Sequence, residues 1–228
     1  MKITYIHHSS FSVELDKCIL LFDYFKGTLP NFNKDKKLYV FSSHSHHDHF
    51  SKSIFKLREN HSNVTYILSD DIHAPKSENI NLMSANEKLL IDDLEIETLQ
   101  SSDLGVAFIV KVENKTIYHA GDLNWWHWEG ENSPEENTYA EKIFKASIDK
   151  IKGKNVDIAF LPLDPRQGEQ YYLGFDYFMR NTNTKIAFPM HLWRKYSLVK
   201  VFKDSSYVSN YKDKIIEVHH ENEEFQIL

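Results

Sequence analysis

Within six consecutive residues, His44-Ser45-His46-His47-Asp48-His49, the chain places four imidazoles and a carboxylate. Residues two apart in an extended turn point to the same side, so His44 and His46 can grip one cation while Asp48 and His49 reach a second. Neutral imidazole suits Zn²⁺ and its neighbours, Mn²⁺ and Fe²⁺ among them, and a carboxylate in the set suits a centre that also polarises water. The competing reading is a solvated histidine-rich loop or an appended tag. A tag would sit at a terminus without the interleaved Ser45 and Asp48, and a solvated loop would not follow a buried strand so directly.

The elements that must position this run are legible as short apolar segments. Lys2 to Ile6, Phe11 to Leu15, Cys18 to Phe22 and Leu38 to Phe41 read as strands, with turns at Asp16-Lys17 and around Gly27 to Asn33. Ser51 to Glu59 reads as a short amphipathic helix carrying Ile54, Phe55 and Leu57, and Val64 to Leu68 as the next strand. That strand, helix, strand order implies parallel pairing. Leu94 to Thr98, Val106 to Val112 and Lys115 to His119 read as antiparallel strands, with Glu113-Asn114 as a hairpin turn. Glu135 to Lys152 carries Tyr139, Ile143, Phe144, Ile148 and Ile151 at helical spacing, with start and stop signals at Ser133-Pro134 and Gly153. Asp157 to Leu161 and Lys185 to Pro189 read as buried strands running into prolines, and Ile215 to Val218 as a last strand. No repeat or linker divides residues 1–228, so one domain of sheets covered by helices is expected.

Composition narrows the function classes. At 228 residues and 41% hydrophobic content the chain can bury a sizeable core, and its 26% charged residues mark a globular surface. The net charge of −6 gives no general attraction for nucleic acid or anionic membrane. No apolar run has signal-peptide or bilayer-spanning length, so a cytoplasmic location is expected. Cys18 is the one cysteine, and its neighbours Ile19, Leu20 and Leu21 point to a buried strand position rather than a reactive thiol.

The order His-x-His-x-Asp-His, placed between a strand and a helix, resembles the signature of the metallo-β-lactamase superfamily. The resemblance implies an α/β fold, a four-layer αβ/βα sandwich of two mixed sheets with helices outside and a dinuclear site at one edge between the sheets. It also implies a bridging aspartate after a strand, matched by Asp122 in Tyr118-His119-Ala120-Gly121-Asp122, and a late histidine, matched by His191 in Phe188-Pro189-Met190-His191. The histidine usual before a mid-chain glycine is missing from Ser101-Ser102-Asp103-Leu104-Gly105. Asp103 either takes its place, making the first site harder and more anionic, or merely caps a turn. By the same resemblance His8 and His119 lie near the metals as hydrogen-bonded support, His47 points elsewhere, and Asp23 props the metal loop from below. His61, His73, His127, His219 and His220 are read as surface. The opening Thr4 to Phe11 and the segment Ile117 to Asp122 look most like the branch that contains ascorbate-6-phosphate lactonase and the phospholipase D that cleaves N-acylphosphatidylethanolamine.

The chemistry implied is hydrolysis. Two cations about 3.5 to 4 Å apart lower the pKa of a shared water to about 7 and stabilise negative charge on a carbonyl or phosphoryl oxygen. Asp48 and Asp122 would orient that water as well as bind metal, and the bond class is an ester, lactone, amide or phosphodiester. Trp125, Trp126 and Trp128 follow Asp122 closely and could wall the pocket or pack in the core. Arg166, in a loop after the strand Asp157 to Leu161, could hold a substrate carboxylate or phosphate, or pair with a neighbouring acid. Together these point to a small anionic or amphipathic substrate. A nuclease of the same fold is a rival, but the acidic chain has no basic arm. An oxygen-reducing di-iron protein is another, but that branch has glutamate where this chain has His46 and carries a flavin domain. The rival from a different class is a non-catalytic metal-binding or interaction module with an incomplete first site.

Overall fold

A computed structural model describes residues 1–227. Among the described residues thirteen strands form two mixed sheets of seven and six strands. The first runs in the order β13 (Glu223–Gln226), β1 (Lys2–His7), β2 (Ser10–Glu14), β3 (Cys18–Phe22), β4 (Lys37–Ser42), β5 (Val64–Ser69) and β6 (Ile80–Met83). The second runs β12 (Asn183–Met190), β11 (Asn155–Pro162), β10 (Lys115–His119), β9 (Val106–Val112), β8 (Leu94–Gln100) and β7 (Lys88–Ile91). The pairs β3/β4, β4/β5, β5/β6, β10/β11 and β11/β12 are parallel, and the remaining neighbours are antiparallel. These are the α/β sandwich and the mixed sheets expected above.

The two sheets meet through aromatic rings. Phe11 packs on Phe160 with ring centroids 4.3 Å apart and Phe41 on Phe108 at 5.3 Å, while Phe22 and Phe41, neighbours in the first sheet, stack at 4.8 Å. All are fully buried, and each such side chain contributes about 1.5–3 kcal/mol of transfer free energy. β3, β4 and β5 are apolar on both faces because the outer face of the first sheet is also covered: Ile19, Leu21, Val40 and Tyr66 pack there with Ile54. Outside the second sheet lie α2 (Pro134–Asp149) and α3 (Leu173–Asn181), with Phe144, Ile148, Phe175 and Phe178 buried. α2 opens on a capping box, Ser133 accepting from the Glu136 amide and Glu136 from the Ser133 amide, with Pro134 in the first turn.

Several elements differ from expectation. The helix expected over Ser51 to Glu59 is a 3₁₀ turn, Lys52–Lys56, followed by one α turn, α1 (Leu57–Asn60), because only Ile54 is buried and a single anchor does not demand a longer amphipathic face. Ile215 to Val218 is not a strand: Ile215 makes one isolated bridge to Ala187, and the chain instead returns to pair β13 with β1. The strands β6 and β7 and the helices α3 and α4 (Ser197–Asp204) had no separate forecast. His61, expected on the surface, is buried, with Nε2 2.6 Å from the Lys36 carbonyl. The Glu113-Asn114 hairpin turn is present, both residues at positive φ, and Cys18 is buried as expected. No helix among the described residues is long and apolar enough to cross a membrane.

Candidate metal centre

Every side chain of the candidate centre leaves the carboxyl end of a strand or the loop that follows it. His8 follows β1, Asp23 follows β3, and His44 to His49 follow β4. Asp103 follows β8, Asp122 follows β10, Asp164 follows β11, and His191 follows β12. The parallel register of β3 with β4, and of β10 with β11 and β12, aims these loops at one edge of the sandwich. Three of the residues, His8, Asp23 and His191, hold positive φ values of 53°, 45° and 63°, a conformation costly for residues with a Cβ and concentrated at functional sites. Two glycines let the loops meet. A Cβ on Gly105 would stand 2.0 Å from the Ser43 carbonyl oxygen, and one on Gly121 would stand 2.5 Å from Ser43 Cβ.

The ligand atoms gather in two sets. One atom from each of His44, His46, Asp103 and Asp122 lies within 4.8 Å of the others, and His8, Asp48, His49 and His191 form a second set by the same measure. Asp122 faces both: Oδ2 is 3.5 Å from His44 Nε2, while Oδ1 is 3.1 Å from His49 Nε2 and 3.4 Å from His191 Nε2. Asp103 lies in the first set, with Oδ2 3.7 Å from His46 Nδ1. His8 lies near the centre as expected, its Nε2 3.5 Å from Asp48 Oδ2, and it is close enough to His49 and His191 to be counted with the second set. His47 is almost fully exposed and points away.

The buried imidazoles are held from behind with their other nitrogens bare. His49 Nδ1 is 2.7 Å from Asp23 Oδ2, and His191 Nδ1 is 2.8 Å from Asp164 Oδ2. The Ser43 hydroxyl donates to Asp23 at 2.7 Å and so accepts from His44 Nδ1 at 2.9 Å. With Nδ1 donating, Nε2 carries the lone pair. His8, His44, His49 and His191 Nε2 and Asp122 Oδ1 are buried without a hydrogen-bond partner. Buried polar atoms are normally paired, so five convergent orphans are the signature of a cation-binding centre, and these donors fit divalent metal. Burial pushes His8 and His44 down to about 4, which keeps both neutral near pH 7. Burial opposes ionisation of Asp122 as well, yet His49 and His191 outweigh it and hold its carboxyl well below the usual range.

Support beneath the loop is also buried. Asp23 accepts the Ser43 amide at 2.7 Å, as expected of a prop, and His119 donates to the Ser9 carbonyl at 2.8 Å while accepting the Gly121 amide at 3.1 Å. Asp164 had been missed. Fully buried, it accepts from His191, from Trp193 Nε1 at 3.2 Å, and from Arg166 through Nε at 3.0 Å and Nη2 at 2.5 Å. The available signal was an aspartate directly after a buried strand, the position that marked Asp122. Arg166 is thus in the salt bridge that competed with substrate binding as its reading, while its side chain still lines the groove beside the centre. Trp126 lines that groove with its ring 5.7 Å from His191, and Trp128 stacks on it at 5.7 Å. Trp125, grouped with them from the sequence, turns the other way and packs on Phe144 and Tyr177 with Lys145 over its face, because the loop carries successive side chains to opposite sides.

A two-sheet α/β sandwich with clustered histidines and aspartates at one edge defines a metallo-β-lactamase-type protein. The chain belongs to the family described as Beta-lactamase superfamily domain, whose pattern matches residues 2–136 and so includes the histidine run and Asp122. It is 31% identical over 142 residues to a protein of Opitutus terrae named UPF0173 metal-dependent hydrolase, across 54% of this chain and 63% of that protein, under two thirds of its length. A Nanoarchaeum equitans protein of the same designation is 27% identical over 208 residues, covering 84% of this chain and 83% of the relative. Among solved structures, Igni18, a metallo hydrolase of Ignicoccus hospitalis, matches all of this chain and 99% of its own at 19% identity with a TM-score of 0.70. A protein of Parabacteroides distasonis described as a metal-dependent hydrolase matches 95% of this chain and 92% of its own at 17% identity, with a TM-score of 0.61. These two likenesses concern the fold.

Proposed function

We propose that the chain is a dinuclear metal-dependent hydrolase acting on an ester, lactone or phosphodiester of a small molecule. The reading is carried by the five buried, unpartnered ligand atoms converging at the strand ends, with the Nδ1 atoms of three imidazoles already committed to Ser43, Asp23 and Asp164. The names of the bacterial and archaeal relatives support it.

His44, His46, Asp103 and Asp122 would hold one cation, and His8, Asp48, His49 and His191 the other, with Asp122 shared. Divalent ions so held supply water of lowered pKa and a Lewis acid for the scissile carbonyl or phosphoryl oxygen. Asp23 and Asp164 keep His49 and His191 in the ligating tautomer. Asp48, half-buried and next to His8, would orient the attacking water as well as bind the ion. Trp126 excludes solvent from one side of the centre. Net hydrolysis adds the water oxygen to the acyl carbon or phosphorus, breaks the bond to the leaving oxygen, and gives that oxygen a proton from solvent.

Zn²⁺ is the metal we favour, since five of the seven candidate ligands other than Asp122 that gather here are imidazoles, and imidazole suits Zn²⁺. The look of the segments Thr4 to Phe11 and Ile117 to Asp122 supports a place near the lactonase and phospholipase branch named above. The acidic chain disfavours the nuclease reading. The test is elemental analysis of protein purified without chelator or affinity metal, followed by a turnover screen of the metal-loaded chain against generic esters, lactones and phosphodiesters. Two ions per chain with turnover is the expected result, and one or none without turnover would favour the non-catalytic module.

A further inference from the structure

Two grooves open on either side of His191, and they differ in charge. The ring of Trp126 lies 5.7 Å from the His191 ring on one side, and that of Trp193 lies 5.7 Å from it on another. The first groove, about 590 Å³, runs from Asp103 and Asp122 past Trp126 and Trp128 to Ala140 and Ile143 of α2. The second, about 530 Å³, runs from His8 and Asp48 to Phe25, Lys26, Trp193 and Arg194. Arg166 marks the ridge between them, its guanidinium 5.5 Å from the Trp128 ring and 4.4 Å from that of Trp193.

The far wall of the first groove carries Glu135 and Glu136, and its one base, Arg166, is already neutralised by Asp164. An anion at that far wall meets two carboxylates and no unpaired basic side chain. What the groove does offer is apolar, aromatic surface: Trp128, stacked on the buried Trp126 ring with the two planes parallel to within 2°, and Ala140 and Ile143 beyond them. The second groove carries Lys26, exposed and in no ion pair among the described residues, and Arg194, whose Nε is 2.8 Å from Glu221 with the rest of the guanidinium exposed. His7 and His47 line it too, and Asp48 is its one acid.

Resting on the hydrolase reading, we propose that the substrate straddles the centre, its anionic arm in the Lys26 and Arg194 groove and an uncharged, apolar arm, best a flat ring, against Trp126 and Trp128. The scissile bond then lies over the histidines and aspartates between the grooves. A substrate with anions at both ends is rejected by Glu135 and Glu136, since like charges brought together at an interface oppose binding. This narrows the substrate class from any small anion to a one-ended anion with an apolar partner across the scissile bond.

The mono-4-nitroanilide of glutaric acid has this layout, with an amide in place of the ester. Its controls are N-(4-nitrophenyl)butanamide, which lacks the carboxylate, and the glutaric anilide bearing a second carboxylate on the ring. Binding to the zinc-loaded full chain is followed through the tryptophan indole ¹H–¹⁵N resonances, assigned with single Trp→Phe variants. The glutaric probe is expected to shift the Trp126 and Trp128 indoles more than Trp193. Lys26→Glu, on an exposed side chain, is expected to weaken it by about three- to tenfold without affecting the butanamide. Glu135→Lys is expected to tighten the ring-carboxylated probe by a similar factor, about three- to tenfold. Larger shifts at Trp193, indifference to Lys26→Glu, or no shift with any probe overturns the proposal. Failure of the hydrolase reading is separate: it appears as missing metal or turnover in the screen above, whatever these binding shifts show.

Discussion

Replacing Asp164 with asparagine tests whether the carboxylate behind His191 sets up half of the centre. Asp164 Oδ2 accepts from His191 Nδ1 at 2.8 Å, from Trp193 Nε1 at 3.2 Å and from Arg166 Nη2 at 2.5 Å, while Oδ1 accepts from the Arg166 amide at 2.8 Å. Asparagine offers one acceptor oxygen and one NH₂ group in the same volume. If the oxygen faces His191, the NH₂ group meets the Arg166 amide. Turned over, it confronts three donors, His191 Nδ1–H among them, and the imidazole loses the partner that fixes its tautomer. A hydrogen bond to a charged group is worth about 1.5–3 kcal/mol, and loss of such a partner behind a metal-binding histidine costs about 10- to 100-fold in metal affinity. Arg166 is about half exposed, so its share is smaller and is discounted for solvent screening.

The expected phenotype is therefore unequal. In a competition titration against a chromophoric zinc chelator, Asp164→Asn should weaken the ion held by the His191 set by about 10- to 100-fold. The ion held by His44, His46 and Asp103 should stay within about twofold, because none of those residues touches Asp164 and distant sites are nearly additive. Circular dichroism of the metal-free variant should match that of the parent. Unchanged affinity for both ions, or equal loss of both with the fold intact, would refute the idea that Asp164 acts through His191.

Three further perturbations follow from the same structure. Gly105→Ala sets a Cβ against the Ser43 carbonyl at positive φ and should cost about 2–4 kcal/mol, whereas Gly153→Ala, also at positive φ but facing open space, should cost only about 1–2 kcal/mol; thermal unfolding of the two variants checks the contrast. Asp103→Ala should weaken the ion of the His44 set, and Asp103→His should restore it with a shift in preference from Mn²⁺ towards Zn²⁺, read by paired metal titrations; equal metal affinity in all three proteins would remove Asp103 from the ligand set. Burial, and then Glu113, push the Cys18 thiol from 9.0 up to about 12, so its thiolate fraction at pH 8 should be about a thousandfold lower in the native chain than in the unfolded one. Iodoacetamide labelling with and without denaturant measures this, and rapid native labelling would contradict it.

The parts of this molecule that could be read from the chain are those whose information is local. Strands β3, β9 and β10 were bounded correctly because their apolar runs end at turns, and the metal loop was visible because five ligand-type residues lie within six positions. Trp125 and Trp126 show where that legibility stops: adjacent residues in an irregular loop have no periodicity to say which faces the groove, and one packs on Phe144 while the other lines the centre. Ile215 to Val218 shows the same for a strand, since a short apolar run describes a buried segment whether or not it finds a partner.

The contacts of His8 and Asp164 are illegible locally for a different reason. Each meets its partners only when strand ends are brought together by pairing far along the chain. Asp164 meets His191 across 27 residues, and both lie at the ends of β11 and β12, whose parallel register carries Leu161 opposite Pro189 and Pro162 opposite Met190. That register places two successive loops side by side, one bearing a carboxylate and the other an imidazole. Once a buried imidazole must present Nε2 to a cation, its Nδ1 must find a partner behind it, from its own loop as in His44 or from the neighbouring one. Within the centre, His49 and His191 each set Nδ1 against a carboxylate on an adjacent strand end, Asp23 after β3 and Asp164 after β11. Topology therefore supplies what the motif lacks: parallel neighbours in each sheet deliver a carboxylate behind an imidazole, and the edge where both sheets do so is the edge where cations can be held.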